Sequence, residues 1–266
     1  MKNNPKSQKI WLVGASQGIG LELVKIWLEQ GHEVVASARQ AEQSAELAAL
    51  ASDYPLLHCL NLDVTDPQDC AQKSQQAWSL LKGIDLWFYN VGAYQPMRVE
   101  QWDWSSFVTM NQANYLGAVA LMLALQPLFN AQGRGRWVWN ASLAGYFGLP
   151  YGGGYSAPKA ALINLAESLQ PELAQQQIQL QIINHGFVRT RLTAKNEFEM
   201  PGLVEPLQAA RLIAKNIANT SDSSGSFEIR FPLGLRVFLS LLKLLPYRVS
   251  LALTRKLLRA NDATNK

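Results

Sequence analysis

The chain has 266 residues and carries 24 basic and 20 acidic side chains. That length suits one large domain or two small ones, and alternating strand and helix patterns favour a single α/β domain. The two cysteines and three histidines are too scattered to predict a metal cluster. No apolar run approaches about 18 residues, so we expect no membrane-spanning helix.

The cysteines and the N-terminus both indicate a cytoplasmic protein. Cys59 and Cys70 form no metal-type cluster and are predicted to be reduced thiols. Residues 1–9 are polar and lack the apolar centre of a secretion signal.

A buried strand, a glycine-rich turn and a helix open the predicted fold. Residues 9–14 (KIWLVG) are apolar, and the turn 14–20 (GASQGIG) leads into an amphipathic helix at 21–30 that Gly31 closes. Glycines here let the backbone approach a pyrophosphate, and the helix N-terminus offers free N–H groups. The pattern predicts a dinucleotide site, although a glycine-rich turn alone is also compatible with a simple tight turn.

The second predicted strand, 32–37, is followed by Ala38-Arg39 rather than by an acidic residue. A cofactor with a free 2′-hydroxyl favours a carboxylate at this strand end, whereas a guanidinium pairs with a 2′-phosphate. Arg39 therefore favours NADP over NAD. The alternative is an arginine that serves only the surface.

Strand and helix patterns continue to alternate up to residue 231. We predict strands at 55–60, 84–89, 136–140, 178–184 and 227–231, and helices at 41–50, 104–130 and 156–177. Pro171 lies inside the last of these helices, so we expect a kink or a break there. Asp63, Asn90 and Gly92 follow strand ends, where parallel sheets bind ligands, and Asp63 can accept a hydrogen bond from an adenine amino group.

Tyr155 and Lys159 are four residues apart and therefore share one face of a helix, one turn apart. A phenol loses its proton near pH ~10, and a nearby ammonium lowers that pKa. Ser142, at the end of a predicted strand, can share a substrate oxygen with the phenol. Together the three side chains indicate a proton-transfer site acting on a carbonyl or a carbinol, although a Tyr-x-x-x-Lys pair alone often arises by chance.

These features together resemble the short-chain dehydrogenase/reductase family over about residues 8–231. The motifs that carry the resemblance, in the family's order and spacing, are Gly14/Gly18/Gly20, Asp63-Val64, Asn90-x-Gly92, Asn114 with Gly117, Ser142, and Tyr155-x-x-x-Lys159. The resemblance implies a Rossmann-type, doubly wound, seven-stranded parallel sheet, and right-handed crossovers suggest the strand order 3-2-1-4-5-6-7. Residues 1–232 would form the NAD(P)-binding catalytic domain, and 233–266 a C-terminal amphipathic, basic extension.

The resemblance also implies a role for each site residue. Tyr155 would be the general acid in carbonyl reduction, or the base in alcohol oxidation, and Ser142 would polarise the substrate oxygen. Lys159 would lower the pKa of the phenol and bind the nicotinamide ribose, and Asn114 would support a water-linked proton path. The implied cofactor-binding residues are Gly14, Ser16, Gln17, Gly18, Ile19, Gly20, Arg39, Asp63, Val64, Asn90, Gly92, Tyr155, Lys159, Gly186, Val188 and Thr190.

Four residues depart from the family pattern. Val13 replaces a threonine, and Tyr89 and Val91 replace polar or small residues around Asn90. We therefore expect an apolar Val13–Tyr89 neighbourhood between the first and fourth strands. His185 replaces a proline; it is either a titrating group near the nicotinamide or a spacer without a chemical role.

Apolar and aromatic residues are predicted to form the substrate side. The expected cleft wall consists of Tyr94, Trp102, Phe147, Leu149, Tyr151 and Phe187. Because no arginines cluster there, we expect an apolar carbonyl compound or alcohol, although several of these side chains are also compatible with a core position. Residues 195–207 are predicted to form a mobile lid.

The C-terminal extension consists of two apolar, basic helical patterns, 233–245 and 247–258, separated by Pro246. Seven basic residues and no acidic one lie between 230 and 261, so the rest of the chain has a net charge of −3. This composition suits peripheral contact with a membrane surface or a hydrophobic partner; the alternative is a pair of helices packed on the body or across a dimer. The family's long helices commonly pair between subunits, so a homodimer or homotetramer is expected.

We predict an NADP-dependent oxidoreductase that interconverts a carbonyl and a secondary or primary alcohol on an apolar small molecule. No metal and no nucleic-acid partner are expected. The alternatives are a non-catalytic dinucleotide-binding sensor that retains the fold and a membrane-surface scaffold. The complete set of Asn114, Ser142, Tyr155 and Lys159 argues against the sensor.

Overall fold

The computed structural model describes residues 7–196, 198–219 and 226–264. Seven strands form one parallel sheet in the order β3-β2-β1-β4-β5-β6-β7, which confirms the predicted doubly wound topology. The strands are Lys9–Val13 (β1), Glu33–Ala38 (β2), Leu57–Asn61 (β3), Leu86–Tyr89 (β4), Gly135–Asn140 (β5), Ile178–His185 (β6) and Glu228–Phe231 (β7). The strand order reverses between β1 and β4, and that point is where such sheets open a ligand crevice.

Helices cover both faces of the sheet. One face is covered by Pro67–Leu81 (α3), Gly117–Gln132 (α5) and Gly153–Gln175 (α6), and the other by Gly18–Glu29 (α1), Ala45–Asp53 (α2) and Pro206–Asn219 (α7). Trp104–Asn111 (α4) precedes α5, and Leu233–Leu244 (α8) and Tyr247–Thr264 (α9) follow the sheet. Because both faces are covered, the central strands read as continuous apolar runs rather than as alternating patterns.

Four tryptophans form an aromatic layer inside the sheet's α3/α5/α6 face. Trp11, Trp87, Trp137 and Trp139 are all fully buried. The Trp87 ring meets those of Trp137 and Trp139 edge-on, with centroids 5.4 and 5.9 Å away. Edge-on contacts of this kind add to the stabilisation from burial and fix the spacing of β4 and β5.

Two helix predictions are corrected by the structure. The helix predicted over 104–130 is two helices joined by a π-helical segment, Gln112–Leu116, in which the Gly117 N–H bonds to the Gln112 carbonyl five residues earlier. The helix predicted at 156–177 begins at Gly153 and continues unbroken through Pro171 to Gln175, so the expected break is wrong. Leu169 and Leu173 pack against the core on either side of that proline and offset its missing hydrogen bond.

Among the described residues, one helical stretch, Trp104–Gln132, is long and apolar enough to cross a membrane by length and composition. Its apolar residues Leu121, Leu125 and Phe129 are fully buried against the sheet. Packing in the protein core therefore accounts for the apolarity of this buried side of the stretch.

Candidate active site

The glycine turn after β1 fits a dinucleotide pyrophosphate. Gly14 has φ +92°, and its N–H donates to the Ser37 carbonyl at 2.7 Å, which bends the chain away from the sheet. A Cβ on Gly20 would lie 2.1 Å from the Gly14 carbonyl oxygen, so that position excludes any side chain. The helix α1 begins at Gly18, and Gln17 places no side-chain cap on its N–H groups. These donors and the helix dipole suit an anionic group.

Arg39 lies exposed directly after β2, beside this turn. Among the residues that the structure describes, it has no ion-pair partner. Asp63 follows β3, but its Oδ1 already accepts hydrogen bonds from Thr65 N (2.9 Å) and Thr65 Oγ1 (2.8 Å). The structure therefore gives Asp63 a turn-stabilising contact in addition to any bond with an adenine.

Ser142, Tyr155 and Lys159 come together at the end of β5. Tyr155 lies in the first turn of α6, and the Ser142 hydroxyl is close enough to favour the ionised form of its phenol. Lys159 is 3% exposed, and its Nζ lies 5.8 Å from the centroid of the Tyr155 ring. The predicted phenol, hydroxyl and amine thus share one pocket.

The pKa values in this pocket differ from the expected pattern. Burial raises the pKa of Tyr155, and the nearby Ser142 hydroxyl only partly opposes that rise. Burial also lowers the pKa of Lys159 to about 7, so at neutral pH the amine is only partly charged. In this structure burial sets the direction of the phenol's pKa shift, and a lowering of that pKa by Lys159 stays a prediction.

Two asparagines hold this pocket to the glycine turn: Asn90, a predicted cofactor-binding residue, and Asn140, which sequence reasoning did not assign. Lys159 Nζ donates to the Asn140 carbonyl at 2.7 Å. Asn140 Nδ2 donates to Asn90 Oδ1 at 2.7 Å, and Asn90 Nδ2 donates to the Gly14 carbonyl at 2.9 Å. The chain of contacts runs across the carboxyl ends of β5, β4 and β1. The sequence signal that could have identified this contact is an asparagine at the end of each of two neighbouring strands.

Asn114 lies in the π-helical segment and is fully buried. Its Nδ2 donates to the carbonyls of Ala93 (2.7 Å) and Met110 (2.8 Å), and its Oδ1 accepts from the Ala93 N–H (3.2 Å). The side chain therefore clamps the loop that follows β4. π-Helical turns of this kind are frequent at functional sites.

Tyr89, on β4, contacts the π-helical segment that contains Asn114. It pairs with Val13 across β4 and β1, which confirms the predicted neighbourhood, and both are buried. Its hydroxyl donates to the Ala113 carbonyl at 2.6 Å. Because the Gly117 N–H bonds to Gln112, it is not available to that carbonyl, and Tyr89 supplies the donor instead. A Cβ on Gly117 would lie 2.7 Å from the Tyr89 hydroxyl, so this arrangement needs a glycine there.

A pair that sequence reasoning did not assign holds the backbone of Ser142. The Ser142 N–H donates to Asn184 Oδ1 at 3.1 Å, and Asn184 Nδ2 donates to the Glu228 carboxylate. The Tyr146 hydroxyl also donates to Glu228. These residues lie on different strands and loops, and no local sequence pattern marks the contact.

The segment after β6 closes the pocket. Burial lowers the pKa of His185 to about 4, and its ring stacks on Phe231 with centroids 6.0 Å apart. His185 is therefore neutral at physiological pH, which favours the spacer interpretation. The Gly186 N–H donates to the Phe231 carbonyl at 2.9 Å, and a Cβ on Gly18 would lie 3.1 Å from Thr190 Cγ2. Thr190 thus faces the glycine turn.

Tyr94 connects the predicted cleft wall to the predicted lid. Its ring meets that of Tyr155 edge-on, with centroids 5.2 Å apart. Its hydroxyl donates to Asn196 Oδ1 at 2.8 Å, and Lys195 Nζ donates to its carbonyl at 2.8 Å. Residues 195 and 196 therefore cover the side of the pocket next to the phenol; movement of the lid stays a prediction.

The other predicted wall residues lie around the same cleft in three groups. Phe147 and Leu149 pack against α8, and Phe187 meets Phe198 edge-on at 5.9 Å. Trp102 lies over Gly153, where an added Cβ would be 3.0 Å from the indole, and Arg98 lies over the Tyr151 ring. Within the described ranges, no group of three His, Cys, Asp or Glu side chains is placed to hold a metal.

Comparison with known proteins agrees with this geometry. The profile of the short chain dehydrogenase family matches residues 8–200. An uncharacterized oxidoreductase of Myxococcus xanthus (strain DK1622) is 32% identical over 248 residues, which cover 92% of this chain and 96% of that protein.

Two solved structures share the fold. One is a short chain dehydrogenase from Burkholderia cenocepacia J2315 in complex with NADP, with 21% identity, a TM-score of 0.75 and 96% of each chain covered. The other is a short chain dehydrogenase/reductase from Burkholderia phymatum in complex with NAD, with 18% identity, a TM-score of 0.78, and 88% of this chain and 92% of that chain covered. The chain belongs to the short-chain dehydrogenase/reductase family of oxidoreductases, as its motifs predict.

Proposed function

We propose that the protein is an NADP-dependent oxidoreductase that interconverts a carbonyl and an alcohol on an apolar small molecule. The observation that supports the proposal is the closeness of the Ser142 hydroxyl, the Tyr155 phenol and the Lys159 amine, which Asn140 and Asn90 connect to the glycine turn before the uncapped start of α1. A proton donor and an oxygen-binding hydroxyl next to a dinucleotide cradle suit this reaction.

Each residue of the site has its own proposed role in the reaction. Tyr155 gives its proton to the carbonyl oxygen in reduction and takes it back in oxidation, while Ser142 donates a hydrogen bond to the same oxygen. Because burial raises the pKa of the phenol, Tyr155 is protonated at neutral pH, and this state suits reduction. Lys159 holds the ribose hydroxyls, and Asn114 fixes the loop beside the proton path. A bound nicotinamide supplies or accepts the hydride.

The cofactor preference rests on Arg39. Its exposed guanidinium is free to pair with a 2′-phosphate, and no acidic side chain follows β2 to favour a 2′-hydroxyl. Similar structures hold NADP in one protein and NAD in another, so their cofactors do not distinguish the two. The charge of Arg39 favours NADP.

The substrate class rests on the cleft walls. Tyr94 meets the Tyr155 ring edge-on, and Phe147, Leu149 and Phe187 add aromatic and aliphatic surface in the segments that follow β5 and β6. Such walls suit a hydrophobic carbonyl compound, since pockets of this type bind chiefly through apolar contact.

We also propose a cytoplasmic homo-oligomer built on 1–232 as one catalytic domain. Leu116 and Leu123, at the start and middle of the α5 region, are 50% and 65% exposed. Apolar side chains at that exposure suit contact with a second subunit.

NADPH consumption with a panel of hydrophobic ketones and aldehydes tests the function. We expect turnover by the wild-type protein, a loss of at least about 10²-fold in Tyr155→Phe, and full activity in the control Tyr54→Phe, which changes a tyrosine at the opposite end of the sheet. NADPH binding without turnover that depends on Tyr155 would instead favour the non-catalytic sensor.

A further inference from the structure

The two C-terminal helices expose an apolar surface. On α8 the four most exposed apolar residues recur at intervals of four, four and three residues, so they share one face. They are Leu233 (65% exposed), Val237 (44%), Leu241 (55%) and Leu244 (81%). The opposite face is apolar as well, because Leu239 and Leu242 are each 1% exposed and pack on the body of the protein.

The helix α9 buries two polar side chains and exposes apolar side chains. Ser250 and Thr254, one turn apart, are buried, and their hydroxyls donate to carbonyls of the same helix or of the residue before it. Val249, Leu251 and Leu253 are exposed. A helix that packs on a protein in water shows the reverse pattern. The outward face of α9 is therefore suited to an apolar environment.

Basic side chains supply the charge of this surface. Residues 229–261 contain no acidic side chain. Four cations on these helices are exposed: Lys243, Arg248, Arg255 and Lys256. A two-fold contact with a second copy would bring these cations together, because such interfaces place the same patch on both subunits. A partner with a negative surface and an apolar interior fits both properties.

We propose that the surface formed by α8 and α9 binds the interface of a bilayer that contains anionic lipids. The exposed leucines and valines enter the boundary between headgroups and acyl chains, and the lysines and arginines contact the headgroups. The protein lies on the membrane through this surface and does not span it there, since α8 has only 12 residues and α9 carries Arg248, Arg255 and Lys256.

The same helices border the substrate cleft. A Cβ on Gly186 would lie 2.8 Å from Leu235 Cδ2, and Leu239 and Leu242 pack with Leu143, the residue after Ser142. A protein bound through α8 and α9 therefore holds the cleft next to the bilayer. This placement, which rests on the proposed function, makes a membrane-dissolved carbonyl compound or alcohol the substrate class.

Co-sedimentation of the full chain with vesicles tests the surface. The vesicles are phosphatidylcholine alone or phosphatidylcholine with phosphatidylglycerol. We expect binding to the anionic vesicles that weakens with added salt, and loss of binding in the double variant Leu241→Glu with Leu244→Glu. Arg248→Gln with Lys256→Gln should weaken binding about fivefold for each cation removed.

A matched control carries the same change at exposed leucines elsewhere. Leu56→Glu with Leu80→Glu alters side chains that are 45% and 39% exposed and lie outside α8 and α9, and this variant should bind like the wild type. Equal binding to neutral and anionic vesicles, or equal binding by the α8 and control variants, overturns the proposal. A dimer in light scattering that only the α8 variant dissolves, without vesicle binding by the wild type, assigns the surface to a second copy instead.

Activity on a water-soluble carbonyl compound separates this proposal from the proposed function. We expect the α8 variant to keep wild-type turnover and lose only vesicle binding. Vesicle binding by a protein that turns over no carbonyl would leave the surface assignment standing and contradict the enzymatic one.

Discussion

The carboxyl ends of the strands and the C-terminal helices are neighbours in the structure. The arrangement of their polar side chains differs. At the strand ends, Asn90, Asn140 and Lys159 are joined by hydrogen bonds that reach from α6 to the glycine turn. In α9, Ser250 and Thr254 are buried while the apolar side chains face outward. The first arrangement fixes atoms for chemistry, and the second presents a surface. The family profile covers residues 8–200, which include Ser142, Tyr155 and Lys159 and do not reach α8 or α9.

Among the substitutions that test this comparison, Lys159→Met is expected to have the largest effect. Loss of the amine should lower turnover by about 10²-fold or more, because the group that orients the cofactor ribose beside Tyr155 is gone. The same change should raise stability, since a buried amine with a pKa of about 7 favours the unfolded chain, in which it binds a proton up to its ordinary value near 10.5.

The pH dependence of that gain has a definite sign. Between about pH 7 and 10 the unfolded wild-type chain binds more protons than the folded one, so wild-type stability rises with pH. Urea unfolding at several pH values should show the variant's advantage to be largest below pH 7 and to shrink toward pH 10. A constant difference would mean that Lys159 is not perturbed by burial.

Arg39→Ala should come next in size. Removal of the guanidinium should raise the KM for NADPH about 10- to 100-fold, as expected for a charge-assisted phosphate contact of about 1.5–3 kcal/mol. The KM for NADH should stay within about twofold. Arg191→Ala, which removes another exposed arginine, provides the control. Equal increases in KM for NADPH and NADH would show that Arg39 does not bind the 2′-phosphate.

Tyr89→Phe tests whether a buried hydroxyl positions the π-helical segment. The variant leaves the Ala113 carbonyl without the Tyr89 donor and should cost about 1–3 kcal/mol in the free energy of unfolding. Turnover should also fall while the KM for the cofactor is retained, because Asn114 lies in the same segment. Tyr247→Phe, at an exposed tyrosine, should change neither quantity. A stability loss with unchanged turnover would limit Tyr89 to a structural role.

The smallest effect is expected from Leu244→Ala. This side chain is 81% exposed, so its truncation should change the free energy of unfolding by no more than about 0.5 kcal/mol. Leu242→Ala, two residues earlier and 1% exposed, should cost about 2–5 kcal/mol. Similar losses from both in urea unfolding would show that the outward face of α8 belongs to the protein core.

The sheet and the chemical residues could be predicted because their signals are local. Apolar runs between glycines mark the buried strands, and the spacing of Tyr155 and Lys159 places them on one helical face. The position of Ser142 at the end of a predicted strand then joined it to that pair. Each of these inferences depends on short stretches of sequence rather than on the depth of burial.

The missed features all depend on contacts between distant parts of the chain. Asn184 and Glu228 meet across β6 and β7, and the π-helical segment needs the Tyr89 hydroxyl from β4. The direction of the Tyr155 pKa shift depends on how strongly the fold buries the phenol, and spacing alone does not determine that burial.

Hydride transfer to a carbonyl carbon is the central claim, and an isotope experiment tests it directly. The protein is incubated with a hydrophobic ketone or aldehyde and NADPH that carries deuterium at C4 of the nicotinamide in either prochiral position, and the product alcohol is analysed by mass spectrometry. We predict that one labelled cofactor places deuterium on the carbinol carbon, and that Tyr155→Phe forms labelled product at least about 10²-fold more slowly. Binding of NADPH without label in any alcohol, across the panel of carbonyl compounds, would contradict the account.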